Sequence, residues 1–167
     1  MSEPAGSGDP AGVAVREAVP EDWPAVASLL AELGRPEALG TPAEGELRQV
    51  YERYLERSDV VALVAEVDGR VTGFCDLEFR TRLNFAEPQA WIPDLVVTEA
   101  GRSRGVGRAL LARAEEIARE RGCWSMSLES ATWRTRAHAF YAREGWTDSG
   151  KSFSKVLIDM QWPPAPR

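Results

Sequence analysis

One stretch of the sequence combines residue types and spacing that suit chemistry: Arg102-Ser103-Arg104-Gly105-Val106-Gly107-Arg108, set between an apolar run and a long amphipathic stretch. Glycines let a backbone approach a ligand closely, and the start of a helix offers unpaired N–H groups with partial positive charge. Together they make an anion site of the kind that holds phosphate. The arginines strengthen that reading in a chain of net charge −6. The competing reading is a glycine-rich turn carrying solvated arginines. The stretch lacks G-x-x-x-x-G-K-[ST], which excludes a P-loop nucleotide site. Gly101, Gly105 and Gly107 do not form G-x-G-x-x-G, which argues against a Rossmann dinucleotide site.

Other reactive side chains are sparse. Two cysteines, Cys75 and Cys123, and one histidine, His138, leave too few ligands for a zinc finger or a Cys/His metal cluster, so no metal is expected. Both cysteines sit in apolar runs and read as core residues. Lys and Arg total 20 against 26 Asp and Glu, which argues against nucleic acid as a partner. No run approaches the ~20 apolar residues of a membrane-spanning helix, so no membrane association is expected. Residues 1–12 are rich in Gly, Pro, Ser and Ala without the basic start of a signal peptide, and read as a disordered leader of a cytoplasmic protein. Residues 13–161 form one domain, and 162–167 a Pro-rich tail.

The elements that must position these groups alternate. Residues 13–18 read as a strand. Asp22 is a candidate N-cap for a helix with apolar Val26, Leu29, Leu30 and Leu33, stopped by Gly34. Residues 44–57 read as a second amphipathic helix. Residues 60–67 and 71–79 read as strands joined through Asp68-Gly69, a two-residue hairpin signal. The second of these puts Val71, Gly73, Cys75, Leu77 and Phe79 on one face. A polar loop spans 80–88, a strand 90–98, and a strong helix 106–121 follows the glycine loop. Then come a strand over 123–130, a helix over 134–144 and a last strand over 153–160. The order β-α-α-β-β-β-α-β-α-β describes a mixed α/β fold, with meander hairpins first and then a crossover helix between two parallel strands.

Arg102-x-x-Gly105-x-Gly107 matches the R/Q-x-x-G-x-G/A acyl-CoA signature of the GNAT superfamily of N-acetyltransferases. A D-L-V-V strand (Asp94 to Val97) precedes it and an R-A-L-L helix (Arg108 to Leu111) follows. Downstream, Arg134-x-x-Ala137-His138-x-Phe140-Tyr141-x-x-x-Gly145-Trp146 resembles the family's A-x-x-F-Y-x-x-x-G-F segment. The resemblance spans residues 13–160. It implies the GNAT fold, a mostly antiparallel mixed sheet in which two parallel strands, here 91–98 and 123–130, splay apart.

The resemblance also implies a mechanism. Acetyl-CoA is the co-substrate, and an amine attacks its thioester directly in a ternary complex. The backbone of Leu95, Val96 and Val97 would hold the pantetheine arm like an added strand and polarise the thioester carbonyl. The N–H groups of Arg102, Ser103, Arg104, Gly105, Val106, Gly107 and Arg108 would hold the pyrophosphate. Tyr141 stands at the family's general-acid position and would protonate the CoA thiolate. Arg134 replaces an Asn that in many relatives contacts the CoA arm, and could reach a phosphate or face solvent. A base for the ammonium is expected among Glu78, Glu87, Asp94 and Glu129, with Asp94 first. His138, the one histidine, invites a catalytic reading, but a surface or cleft-edge packing role is favoured. A small-molecule amine is the favoured acceptor; a protein N-terminus or lysine is an alternative, as is an acyl-CoA sensor without turnover. Trp23, Tyr51, Tyr54, Phe79, Phe85, Trp91, Trp124 and Trp133 supply aromatic surface; most read as core, and some could form an apolar or cation-binding acceptor pocket. The family often dimerises, so a homodimer is open to this chain.

Overall fold

The computed structural model describes residues 12–158, so the expected leader to residue 11 and the Pro-rich tail lie outside the described residues. Its elements are β1 (Val13–Glu17), α1 (Trp23–Leu33), α2 (Glu44–Leu55), β2 (Val60–Val67), β3 (Arg70–Arg80), β4 (Gln89–Ile92), β5 (Leu95–Val97), α3 (Glu99–Arg102), α4 (Val106–Glu120), β6 (Ser125–Leu128) and α5 (Thr135–Arg143). One sheet runs β1-β2-β3-β4-β6, with β5 also on β3. All its pairings are antiparallel except β4 with β6, which is parallel, as a crossover through α4 requires. This is the mixed α/β architecture expected.

Helices cover both faces of the sheet. Leu110, Leu111, Ala114, Ile117 and Ala118 of α4 bury against Leu63, Ala65, Cys75, Leu77 and Ile92. The close approach depends on Gly73, where a Cβ would fall 2.7 Å from the Val106 side chain. On the other face Trp23, Val26 and Leu29 of α1 and Tyr51 of α2 pack on Ala62, Val64, Phe74 and Val96. A bulge between Ala65 and Glu66 moves Val71 to this second face, away from Cys75 and Leu77. Asp68 and Gly69 both take positive φ, 51° and 73°, as the hairpin signal required.

Three local expectations need correction. Asp22 makes no cap hydrogen bond to α1; a 3-10 turn (Pro20–Asp22) precedes the helix, and the Asp22 carboxylate accepts from the Val19 N–H and from Arg16. The strand expected over 90–98 is broken into β4 and β5 at Pro93-Asp94. The strand expected over 153–160 does not form over 153–158, where Phe153, Leu157 and Ile158 are exposed, and its last two residues lie outside the described residues.

Candidate active site

The break between β4 and β5 sets up the site. Glu78 pairs with Trp91, whereas Cys75 pairs with Leu95, so β4–β5 holds one residue more than β3 across the gap. Continuing the β4 register would put Pro93 opposite Asp76, and proline has no N–H to give the ladder. The chain instead bulges. Asp76 N–H donates to Asp94 C=O at 3.2 Å, and Thr98 N–H to Thr72 C=O at 2.9 Å. In an antiparallel ladder alternate residues face the partner strand. Asp94, Val96 and Thr98 therefore turn their backbone groups toward β3, and those of Leu95 and Val97 face away. Among the described residues β6 pairs only with β4, so beyond Ile92 the two parallel strands part, and Leu95 and Val97 face the gap.

A cleft of about 180 Å³, open to solvent, lies at this gap. Asp94, Leu95, Glu129, Trp133, Arg134 and Tyr141 are among the residues that line it. Each arrives for a local reason. Gly34 closes α1 at φ 104°, its N–H returning to Ala31 C=O and that of Arg35 to Leu30 C=O, which turns the chain so that Arg35 reaches Asp94. The Arg35 guanidinium donates twice to Asp94 Oδ1, once from Nε at 3.0 Å. Arg134, the cap residue of α5, donates to Leu33 C=O at the end of α1, tying the two sides of the cleft together. Tyr141 packs between Phe140 and Trp146, and burial pushes its phenol up to about 12.

The glycine loop lies beyond β5. Thr98 caps α3, a short helix that the sequence reading merged into the loop, by accepting from Gly101 N–H. Gly105 starts α4 at φ 77°, a left-handed conformation in which a β-branched side chain is strained. The first bond within α4 is Ala109 N–H to Gly105 C=O, so the N–H groups of Val106, Gly107 and Arg108 precede it and carry the helix's positive end. The arginines are engaged elsewhere: Arg102 with Val97 C=O, Arg104 with Asp68, Arg108 with Glu144. Ser103 is exposed. The groups suited to an anion here are backbone N–H groups.

Of the four carboxylates considered as bases, Asp94 and Glu129 line the cleft. Glu78 accepts from Tyr54 and Arg57, and Glu87 lies in an exposed loop. His138 is exposed on α5. Of the aromatic candidates Trp133 lines the cleft, whereas Trp23 and Tyr51 are core and Phe85 stacks on Trp124 at the surface, centroids 4.5 Å apart. Arg35 and Asp76 were missed. Pro93 was the available signal for the bulge that involves Asp76; nothing in the local sequence pointed to Arg35.

Among the described residues no helix is long and apolar enough to cross a membrane. The acetyltransferase (GNAT) family pattern matches residues 23–146. An aminoalkylphosphonate N-acetyltransferase of Salmonella typhimurium is 34% identical over 143 residues, 86% of this chain and 90% of that protein. An aminoglycoside N(6')-acetyltransferase type 1 of Stenotrophomonas maltophilia is 28% identical over 81% of this chain and 86% of that protein. Among solved structures, a putative acetyltransferase from Agrobacterium tumefaciens superposes with a TM-score of 0.76 at 27% identity, covering 86% of this chain and 99% of the other. The chain belongs to the GNAT family and is an acetyl-CoA-dependent N-acetyltransferase.

Proposed function

We propose that the protein transfers the acetyl group of acetyl-CoA to the primary amine of a small molecule, by direct attack within the cleft between β5 and β6. The observation that carries this is the convergence of Asp94, Leu95, Glu129 and Tyr141 on one opening at the gap where β5 and β6 part. The open-side groups of Leu95 and Val97 hold the pantetheine arm, with Val96 anchoring them to β3. The N–H groups at the start of α4 hold the pyrophosphate, and Arg102, Ser103 and Arg104 border it.

An ammonium acceptor has a pKa near ~10.4 and must lose a proton before it attacks. Asp94, oriented by Arg35, takes that proton through water; Glu129 stands on the other wall. Tyr141 holds its proton at neutral pH because burial raises its pKa to about 12. A thiolate of pKa near ~8.5 is a weaker base than that phenolate, so Tyr141 first stabilises the leaving sulfur as a hydrogen-bond donor. The Tyr141 proton passes to sulfur as the phenol is reprotonated from solvent, since both groups hold a proton at neutral pH. Arg134 sits at the cleft wall, where it can meet the CoA arm. The 34% identical relative is named for aminoalkylphosphonates and the 28% identical one for aminoglycosides, which are small molecules by name. A homodimer would form along β6, which among the described residues pairs on one side only, near exposed Trp124.

A thiol-release assay with acetyl-CoA against aminoalkylphosphonates, aminoglycosides, polyamines and a lysine peptide tests the reading. Turnover on a small amine is expected. Turnover on the peptide alone would overturn the acceptor class. A CoA-dependent thermal shift with no turnover on any amine would favour a sensor.

A further inference from the structure

Asp76, on β3, has no place in the mechanism above, yet only 4% of its surface is exposed. Its Oδ1 accepts the Asp94 N–H at 2.9 Å, and its Oδ2 accepts the Tyr54 hydroxyl of α2 at 2.6 Å. A regular ladder would send the Asp94 N–H to the Asp76 carbonyl. At the Pro93 bulge the Asp76 side chain takes that role instead. We propose that Asp76 is a positioning residue: its carboxylate, fixed by Tyr54, clamps the bulge and thereby aims the Asp94 side chain and the Leu95 backbone into the cleft. The inference rests on the acetyl-transfer reading for its effect on rate, but the clamp itself does not depend on it. Through Tyr54 the clamp also joins α2, on the far face of the sheet, to the strand that carries the reacting groups.

The acceptor oxygen matters to this clamp, and the negative charge does not. Asp76→Asn keeps an oxygen for the Asp94 N–H. Asp76→Leu with Tyr54→Phe removes both hydrogen-bonding partners at similar volume, which guards against the unfolding that a bare deletion invites. Turnover is measured with acetyl-CoA and the best amine, and amide hydrogen exchange with the free protein. The double variant is expected to lose about 100-fold in kcat, the scale of a misplacement near 1 Å, with acetyl-CoA affinity changed far less. Its Asp94 amide should exchange at least tenfold faster while β2 amides keep their protection. Asp76→Asn should stay within about fivefold of wild type on both readouts. Equal losses in both variants, or wild-type Asp94 protection in the double variant, would overturn the clamp. A wild type inactive on every amine overturns the functional reading, and the exchange result still decides the clamp.

Discussion

Asp22 and Asp76 are both buried acids, 8% and 4% exposed, and they behave in opposite ways. Asp22 meets Arg16 through two oxygens at 2.7 and 2.9 Å and accepts the Val19 N–H. These bonds favour its charged form and hold its carboxyl below the usual range. Asp76 faces the Tyr54 hydroxyl and the Asp94 carboxylate, and among the described residues no cation is hydrogen-bonded to it. Burial first, and the neighbouring negative charge second, push it up to about 7. One acid staples the entry to α1 onto the edge strand; the other sits directly behind the cleft. A buried acid without a cation is costly to stability and is kept where geometry at a site demands it.

The sharpest break between the two regions is expected in turnover. Asp94→Asn should lower kcat by about 10³-fold if that carboxylate is the base. Asp22→Ala should leave kcat within twofold, since Asp22 lies outside the cleft. Steady-state kinetics on both variants decide this, and equal losses would erase the distinction.

Tyr141→Phe should lower kcat by about 10²-fold with acetyl-CoA affinity nearly unchanged, measured by kinetics and isothermal titration. Full turnover would remove the acid role.

In stability the order reverses. Asp22→Ala should cost about 2 kcal/mol in urea unfolding, because the part-buried hydrogen bond from the Val19 N–H to a charged acceptor is lost. The Arg16 pair adds little to that figure, since Arg16 is 40% exposed and keeps Glu66.

The smallest expected effect has opposite signs at the two acids. The depressed Asp22 contributes stability above the unfolded carboxyl range near ~3.9, lost as pH falls through its lower folded value. Asp76 is raised, so between roughly pH 4 and its folded value near 7 the native state holds a proton that the unfolded chain releases, and stability falls as pH rises. Asp76→Asn should therefore gain on wild type by on the order of 1 kcal/mol between pH 6 and pH 7. Asp22→Asn should cost the same at both. A flat Asp76→Asn difference would contradict the raised carboxyl.

This contrast was only partly legible in the sequence. The glycine loop and the F-Y segment were legible because their roles belong to backbone conformation and helix ends, which short motifs specify. The Asp68-Gly69 turn was legible because two successive positive φ values restrict residue choice. Asp76 was not, because period-2 reading of 71–79 put Cys75 and Leu77 inward and so sent Asp76 to solvent. Helices α1 and α2 cover that second face, and alternation cannot distinguish a sheet buried on both sides. Pro93 did carry the signal of a broken ladder, but the apolar run around it read as one strand. Asp22 looked like a cap from its place before Trp23-Pro24, whereas the Arg16 that claims it lies across a turn. The 153–158 segment ends in an apolar, β-branched run like a strand, but composition supplies no partner edge.

The central claim is that the open side of β5 and the start of α4 form one acyl-CoA surface. Amide hydrogen exchange with and without CoA tests it directly. The account predicts slowed exchange at Leu95, Val97 and residues 105–108, with Val96 little changed because it is already bonded toward β3. Protection confined to other segments, or none at these amides when CoA is bound, would contradict it.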